Sequence, residues 1–159
     1  MITVDSVYDT TYLTAKYLAE ELKDDLDAKI NIIGMEGLRD EIRAAGFKNA
    51  NIIRTMLDGE KRYDTCLSEK QFSAYKADPE VKAVVNGFSF KTNFRELAIA
   101  SIYLGQEGTK FVTTCDDPTH AVDATTGRLM ADTGAFLGSL ETLSGRKAHL
   151  IGKPNPDAF

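Results

Sequence analysis

A group of polar residues at the end of one predicted strand is the first candidate for a binding site. Lys110 to Thr114 has the composition of a buried strand, and Thr114, Asp116 and Asp117 stand at its end and just beyond it. In open α/β sheets, ligands gather beyond the carboxyl ends of the strands. Polar turn residues at such places are also often purely structural. The three residues are therefore candidate substrate-binding residues, and their position fits a purely structural role equally well.

A lysine follows the last predicted strand, in the motif Gly152-Lys153-Pro154. Its ammonium is a point charge that can bind a phosphate together with a neighbouring carboxylate. At ~4 Å and an effective dielectric near 20, one such contact is worth about 4 kcal/mol before desolvation is subtracted. On its position alone, Lys153 suits a surface lysine better than a catalytic one.

Other residues with chemical potential have simpler interpretations. The carboxylate pair in Asp25-Leu26-Asp27 precedes a predicted strand, so we interpret it as the solvated acidic end of a surface loop. The two histidines, His120 and His149, are far apart and lack the spacing of metal ligands. His120 could line a pocket beside Asp116, but a solvated loop histidine is the favoured interpretation. Cys115 has no base beside it, so a nucleophilic thiol is not supported.

Composition restricts the class of protein. The chain has 159 residues, is 43% hydrophobic and carries a formal net charge of -5, which argues against broad binding to nucleic acid. Its two cysteines, Cys66 and Cys115, form no Cys-x-x-Cys pair and are typical of reduced thiols. No window approaches the ~20 apolar residues of a membrane helix. Met1 to Thr11 has no signal-peptide layout. We expect a cytoplasmic protein with no membrane partner.

The elements that must position these residues alternate between helical and strand patterns, which predicts an α/β fold: a layered sheet with helices on both faces. Leu57 to Pro79 is polar and has no firm prediction beyond a short helix at Ser68 to Lys76. Asp116 to Arg128 is predicted to be a loop. The strands are predicted at Lys29 to Ile33, Asn51 to Met56, Val81 to Phe88, Lys110 to Thr114 and Lys147 to Ile151. The other helices are predicted at Asp5 to Lys23, Met35 to Ala45, Thr92 to Leu104 and Asp132 to Leu143.

The last residues have the pattern of a helix start. Asn155-Pro156-Asp157 offers an Asn cap, a Pro at the first helical position and an acid near the positive end of the helix dipole. We therefore expect an α/β domain over residues 1–151, with residues 152–159 as the start of a return into a second, catalytic core.

Several segments, in this order, resemble one family: the p-nitrophenyl phosphatase, phosphoglycolate phosphatase and NagD-like branch of the haloacid dehalogenase superfamily. The resemblance spans nearly the whole chain and depends on the order and spacing of the segments. They are Ile2-Thr3 with Tyr12 to Leu18, Ile32 to Gly34 with Glu36 to Arg39, Val84 to Phe88 with Phe94 to Leu97, Phe111 to Asp117, Asp132 to Leu140, and Gly152 to Pro154.

This resemblance implies the cap domain of a phosphomonoesterase that acts through an aspartyl-phosphate. In such an enzyme the cap covers a Rossmann-like core that binds Mg²⁺, and it selects a small phosphorylated metabolite. Lys153 matches the core lysine that holds the nucleophilic Asp and the phosphate. Thr114, Asp116 and Asp117 match the substrate-facing loop of the cap. The nucleophile and metal ligands would lie outside the chain, so we expect these 159 residues to bind no metal and to be inactive alone.

Three departures from the family pattern concern the substrate. Cys115 stands where the family often has Asn, and Ser89 stands where it often has Asp. The Gly-rich turn before the later helix is here Ala131-Asp132-Thr133-Gly134. The resemblance also leaves a second class open, a non-catalytic α/β module for binding or dimerisation, because related caps can self-associate. A small-molecule-binding α/β domain unrelated to phosphatases is a third hypothesis.

Overall fold

A parallel sheet of five strands forms the centre of the molecule. The structure is a computed structural model that describes residues 4–56 and 68–152. The strand order is β2-β1-β3-β4-β7, and every neighbouring pair is parallel. The strands are β1 (Lys29–Ile33), β2 (Ala50–Ile52), β3 (Val81–Asn86), β4 (Lys110–Thr113), β5 (Thr119–Asp123), β6 (Arg128–Ala131) and β7 (His149–Leu150). The helices are α1 (Val4–Glu21), α2 (Glu36–Ala44), α3 (Ile53–Met56), α4 (Glu69–Ala74), α5 (Phe94–Leu104) and α6 (Thr133–Ser144).

The central strands are buried because apolar residues face both sides of the sheet. In β1 and β3, nearly every position is buried, as expected for a parallel sheet that helices cover on both faces. Ile30 and Ile32 pack in one core cluster, whereas Ile33 packs in a second cluster on the other face. The predicted fold class is therefore confirmed.

Different helices cover the two faces. Leu18 of α1 and Ile42 of α2 belong to the first cluster, and Ile99 of α5 and Leu140 of α6 belong to the second. All four side chains are at most 1% exposed. Together the clusters give the sheet a core on each face. The connecting loops lie where the strands begin, which we call the amino edge, and where the strands end, which we call the carboxyl edge.

The connection after β4 differs from the prediction. Asp116 to Arg128 was expected to be a loop, but it contains β5 and the start of β6, which pair as an antiparallel hairpin. Most residues of both strands are exposed, so the hairpin has no buried face whose hydrophobic alternation would predict it.

Four of the five predicted strands are shorter than expected: β3 and β4 end at Asn86 and Thr113, and two others differ more. The prediction of one strand from Asn51 to Met56 is wrong, because β2 ends at Ile52 and α3 begins at the next residue. The strand predicted from Lys147 to Ile151 is reduced to His149–Leu150, an outer strand that pairs with β4 alone within the described residues. Within the described residues, no helix is long and apolar enough to cross a membrane.

Side-chain caps fix the starts of α4 and α5, close to the predicted starts at Ser68 and Thr92. Asn93 caps α5 by accepting a hydrogen bond from the backbone N–H of Glu96, whose side chain accepts one from Asn93 N–H in return. Ser68 and Gln71 form the same capping box at α4. Of the segment Leu57 to Pro79, residues 57–67 lie outside the described residues.

Candidate functional site

The carboxyl edge of the sheet brings three connections together. Because the strands are parallel, the chain leaves β1, β3 and β4 on the same side. The connection after β3 contains Gly87 to Asn93, and the one after β4 contains Thr114 to Pro118 and the hairpin. We call this set of connections the carboxyl rim. All three predicted substrate-binding residues lie on it.

The loop from Thr114 to Pro118 is held by backbone contacts on both sides. Gly134 N–H donates to Asp117 O at 2.8 Å, and Gly152 N–H donates to Thr114 O at 2.9 Å. A Cβ at Gly134 would lie 2.1 Å from Asp116 O, and one at Gly152 would lie 2.2 Å from Thr114 O. Both approaches are possible only for glycine, so this sequence holds the loop between the start of α6 and the end of β7.

The three predicted residues on this loop face different surroundings. Thr114 is 6% exposed, and its backbone N–H donates to Asn86 O. Asp116 and Asp117 are exposed. Asp116 also lines a groove of about 310 Å³ between α6 and β7. The two carboxylates are therefore accessible to a ligand, whereas the burial of Thr114 favours a contribution through the shape of the loop. The binding role of all three stays a prediction.

His120 lies on strand β5, not on a solvated loop as the favoured interpretation had it. Its Nδ1 is 3.0 Å from Asp132 Oδ2, and the imidazole is 23% exposed. Asp132 is the residue that caps α6: its Oδ1 accepts from Thr133 N–H at 2.6 Å and from Thr133 Oγ1 at 3.1 Å. Asp132, where the sequence predicted the helix to begin, thus caps α6 and also contacts His120, a long-range contact that local sequence cannot show.

Aromatic side chains complete the rim. The ring centroids of Phe88 and His120 are 5.4 Å apart, and those of Phe88 and Phe90 are 4.6 Å apart, in edge-to-face arrangements. Phe90 is 66% exposed and Phe94 is 67% exposed. The predicted strand Val81 to Phe88 ended at Phe88, whereas β3 ends at Asn86. Its place at the end of a predicted strand was the available signal that Phe88 would lie on the rim.

A buried ionic cluster supports the connection after β3. Glu96 is fully buried and accepts hydrogen bonds from the backbone N–H groups of Arg54 at 3.2 Å and Asn93 at 3.3 Å. The guanidinium of Arg54 donates to Gly34 O at 2.7 Å and lies 3.4 Å from Ser89 Oγ. The cluster exists because α3 begins at Ile53, which places Arg54 beside Glu96. It ties the loops after β1 and β3 to one another.

Cys115 does not have the surroundings of a nucleophile. Burial raises the pKa of the Cys115 thiol above its ordinary value, and hydrogen bonds with the Thr133 side chain and the Asp117 backbone offset this only partly. A thiol is reactive as the thiolate, so these surroundings agree with the interpretation that Cys115 is not catalytic.

The described residues do not fit a metal site. Among residues 4–56 and 68–152, no group of three or more His, Cys, Asp or Glu side chains is placed to hold an ion, and Mg²⁺ is bound through oxygen ligands such as carboxylates. These described residues therefore offer no set of ligands for a metal ion. Lys153, the predicted catalytic residue, lies outside the described residues, as do Cys66 and the tail that follows Lys153.

The domain has the fold found in part of solved phosphatases of the haloacid dehalogenase type, which superpose on it with TM-scores of 0.66 and 0.67. No family model matches the chain. A glycerol phosphate phosphatase from Mycobacterium tuberculosis, solved in complex with magnesium, superposes with a TM-score of 0.67 at 25% identity, over 94% of this chain and 36% of that one.

Sequence comparison identifies individual proteins that are similar to this chain. Human glycerol-3-phosphate phosphatase is 31% identical over 153 residues, which is 96% of this chain and 45% of that protein. Mouse chronophin is 30% identical over 157 residues, 98% of this chain and 46% of that protein. The chain is homologous to these proteins and to 4-nitrophenylphosphatase of Schizosaccharomyces pombe, so the predicted resemblance is confirmed. The chain spans less than half the length of each of these relatives.

Proposed function

We propose that the chain is the substrate-specificity cap of a magnesium-dependent phosphomonoesterase. The observation that carries this proposal is the carboxyl rim, where an exposed acidic loop, a held imidazole and exposed aromatic rings share one edge of a rigid sheet. Polar groups among aromatic surfaces are typical of sites that select small molecules. The matched relatives are about twice as long as the chain, which leaves room for a separate core.

In this role the rim contacts the leaving group of the phosphate ester. Phe88 and Phe90 offer apolar faces that exclude water when the rim closes over the core. Asp116 and Asp117 repel a phosphate that binds in the wrong orientation, since like charges close together are unfavourable. Lys153 would hold the phosphate and the nucleophilic Asp in the core. When bound in that core, Mg²⁺ supplies charge stabilisation to the transferring phosphoryl group.

The remaining parts of the proposal concern substrate and location. The names of the relatives indicate a small phosphorylated metabolite as the substrate, and glycerol 3-phosphate is the first compound to test. We place the protein in the cytoplasm, where the reduced thiols predicted from the sequence would persist. The domain boundary near residue 151 and the start of a return to the core at residues 152–159 are part of the same proposal.

The test uses an enzyme that already has a core. In human glycerol-3-phosphate phosphatase, the matched 153-residue segment is replaced by this chain, giving what we call the exchange enzyme. We expect the exchange enzyme to hydrolyse p-nitrophenyl phosphate with Mg²⁺ and the 159-residue chain to hydrolyse none. A folded exchange enzyme without activity would contradict the cap assignment, and robust metal-dependent hydrolysis by the chain alone would overturn the division between cap and core.

A second candidate function, self-association through the hairpin, has one observation in its favour. Val122 is 48% exposed and Leu129 is 60% exposed, and among the described strands β5 and β6 pair only with each other. Exposed apolar residues on an open-edged hairpin favour pairing with a second copy. Light scattering after size exclusion, over a range of concentrations, tests this function. A dimer that Leu129→Lys dissociates would support it, and a monomer at every concentration would exclude it.

A further inference from the structure

We propose that Asp132 is a positioning residue that holds His120 as its Nδ1–H tautomer, so that Nε2 is presented as a hydrogen-bond acceptor to a hydroxyl of the leaving group. The first part concerns this chain alone. The second part, the contact with a leaving group, rests on the function proposed above. The two parts have separate tests.

The carboxylate of Asp132 divides its two oxygens between two partners. Oδ1 accepts from the backbone and the hydroxyl of Thr133 at the start of α6, at 2.6 and 3.1 Å. Oδ2 lies 3.0 Å from His120 Nδ1. With the residue only 7% exposed, these contacts fix the carboxylate in one orientation. The capping bonds therefore determine where the oxygen that meets the imidazole stands.

An ionised carboxylate only accepts hydrogen bonds. The proton between Asp132 and His120 must therefore belong to Nδ1. In a neutral imidazole, a proton on Nδ1 leaves a lone pair on Nε2. Within the described part of the chain, the hydrogen bond to Asp132 is the one that the imidazole ring of His120 makes, and it does not use Nε2. That nitrogen remains available as an acceptor.

The ring is also held from the side. Phe88 meets His120 edge-to-face with a centroid distance of 5.4 Å and an interplanar angle of 63°. The imidazole is thus fixed by one hydrogen bond and one aromatic contact, from β6–α6 and from the end of β3. Because Asp132 caps α6 and Phe88 follows β3, Nε2 has a defined place on the rim.

Asp132 belongs to the turn Ala131-Asp132-Thr133-Gly134, one of the places where this sequence departs from the resembling family. Through its contact with His120, this departure bears on which substrate the chain selects. A fixed acceptor favours a leaving group with a hydroxyl donor over one without, since an unpaired partner loses the hydrogen bond. A phosphorylated polyol has such a donor, and p-nitrophenyl phosphate has none on its ring.

The first experiment measures the tautomer in the 159-residue chain by ¹H–¹⁵N correlation of the imidazole rings, well above the pKa of a free imidazole, ~6.5. The chain has only two histidines, so both are assigned with His149→Gln. We expect the proton of His120 on Nδ1. A proton on Nε2 in the unmodified chain would overturn the proposal without any variant at Asp132.

Asp132→Asn gives the sharpest change. Asn is as good a helix cap as Asp, so α6 should still begin at Thr133. With its Oδ1 on Thr133 N–H, the amide presents NH₂ to His120, which makes Nδ1 the acceptor and moves the proton to Nε2. Asp123, the last residue of β5, accepts hydrogen bonds from Thr125 and Thr126, so Asp123→Asn should leave the tautomer of His120 unchanged. An Nδ1–H tautomer that persists in a folded Asp132→Asn chain would contradict the assignment.

The second experiment places His120→Phe in the exchange enzyme, because a hydroxyl can accept as well as donate and a change of tautomer alone would only reverse the hydrogen bond. We expect the ratio of kcat/KM for glycerol 3-phosphate over p-nitrophenyl phosphate to fall about tenfold, the effect of one lost hydrogen bond of about 1.4 kcal/mol, while Asp123→Asn leaves it unchanged. An equal loss for both substrates would indicate a purely structural role and would overturn the hydroxyl contact. Absence of all activity in the exchange enzyme would count against the proposed function, and the tautomer would still be decided by the first experiment.

Discussion

The two edges of the sheet carry polar groups of different kinds. At the amino edge, Lys29 pairs with Asp78 at 2.7 Å and with Glu80 at 2.6 Å, all three with side chains 37% exposed or more. At the carboxyl edge, Glu96 and Asp132 are buried and accept hydrogen bonds from backbone groups. Exposed pairs contribute little to stability, whereas buried polar groups are costly to leave unpaired. The carboxyl edge is therefore built for defined shape, which a binding rim needs.

The largest difference in stability between the two edges is expected when Glu96 is removed. In Glu96→Ala, Arg54 loses its buried carboxylate and the N–H groups of Arg54 and Asn93 lose their acceptor. Breaking such a buried pair costs about 3–5 kcal/mol, so we expect a loss of that size in the free energy of unfolding, measured with urea. The matched variant Glu80→Ala at the amino edge should change it little. Equal losses at both edges would contradict the comparison.

A smaller effect is expected where the rim needs close backbone approach. Gly134→Ala would place a Cβ 2.1 Å from Asp116 O, so the loop must move. We expect a loss of about 1–3 kcal/mol, typical of overpacking, together with altered amide signals in the loop after β4.

Gly138→Ala, one turn later in α6, is the control, because nothing lies within 4 Å of its added Cβ. Alanine is the better helix former by about 1 kcal/mol, so this variant should stabilise the chain. The same substitution is thus expected to have opposite signs at two positions of one helix. A stabilising Gly134→Ala would show that the loop is free to move.

The smallest effect is expected at the amino edge and depends on pH. The hydrogen bond from Lys29, and then the Glu80 N–H, hold the pKa of Asp78 below its ordinary value. A lowered folded pKa stabilises the protein above the unfolded pKa of ~3.9, and this contribution is lost as the pH falls through the folded pKa. Lys29→Gln should therefore lower the melting temperature slightly near neutral pH, and the two proteins should converge in acid. A difference that grows in acid would have the wrong sign.

Much of the fold followed from the sequence because it depends on local signals. The bounds of β1, Lys29–Ile33, agree with the prediction, since a short apolar run between polar loops has few alternatives. The helix predicted from Thr92 to Leu104 is also present, as α5 (Phe94–Leu104), because a polar cap before an apolar run is a local signal. These features need only neighbours in the chain.

The rim could be predicted only in part, because its contacts join distant segments. The end of β4 was found from strand composition and from the position of ligands in α/β sheets. The pairing of His120 with Asp132 depends on a hairpin whose strands are mostly exposed, which gives no periodic signal. Arg54 was assigned to a strand, and its bond to Gly34 O exists only because the chain turns into α3 at Ile53.

The central claim is that this chain selects the leaving group of a phosphate ester. Its most direct test is the ratio of kcat/KM for glycerol 3-phosphate over p-nitrophenyl phosphate, compared between human glycerol-3-phosphate phosphatase and the exchange enzyme. We predict that hydrolysis stays dependent on Mg²⁺ while this ratio changes at least about tenfold, which is a difference of ~1.4 kcal/mol in transition-state binding between the two substrates. An active exchange enzyme that keeps the ratio of the human enzyme would contradict the claim.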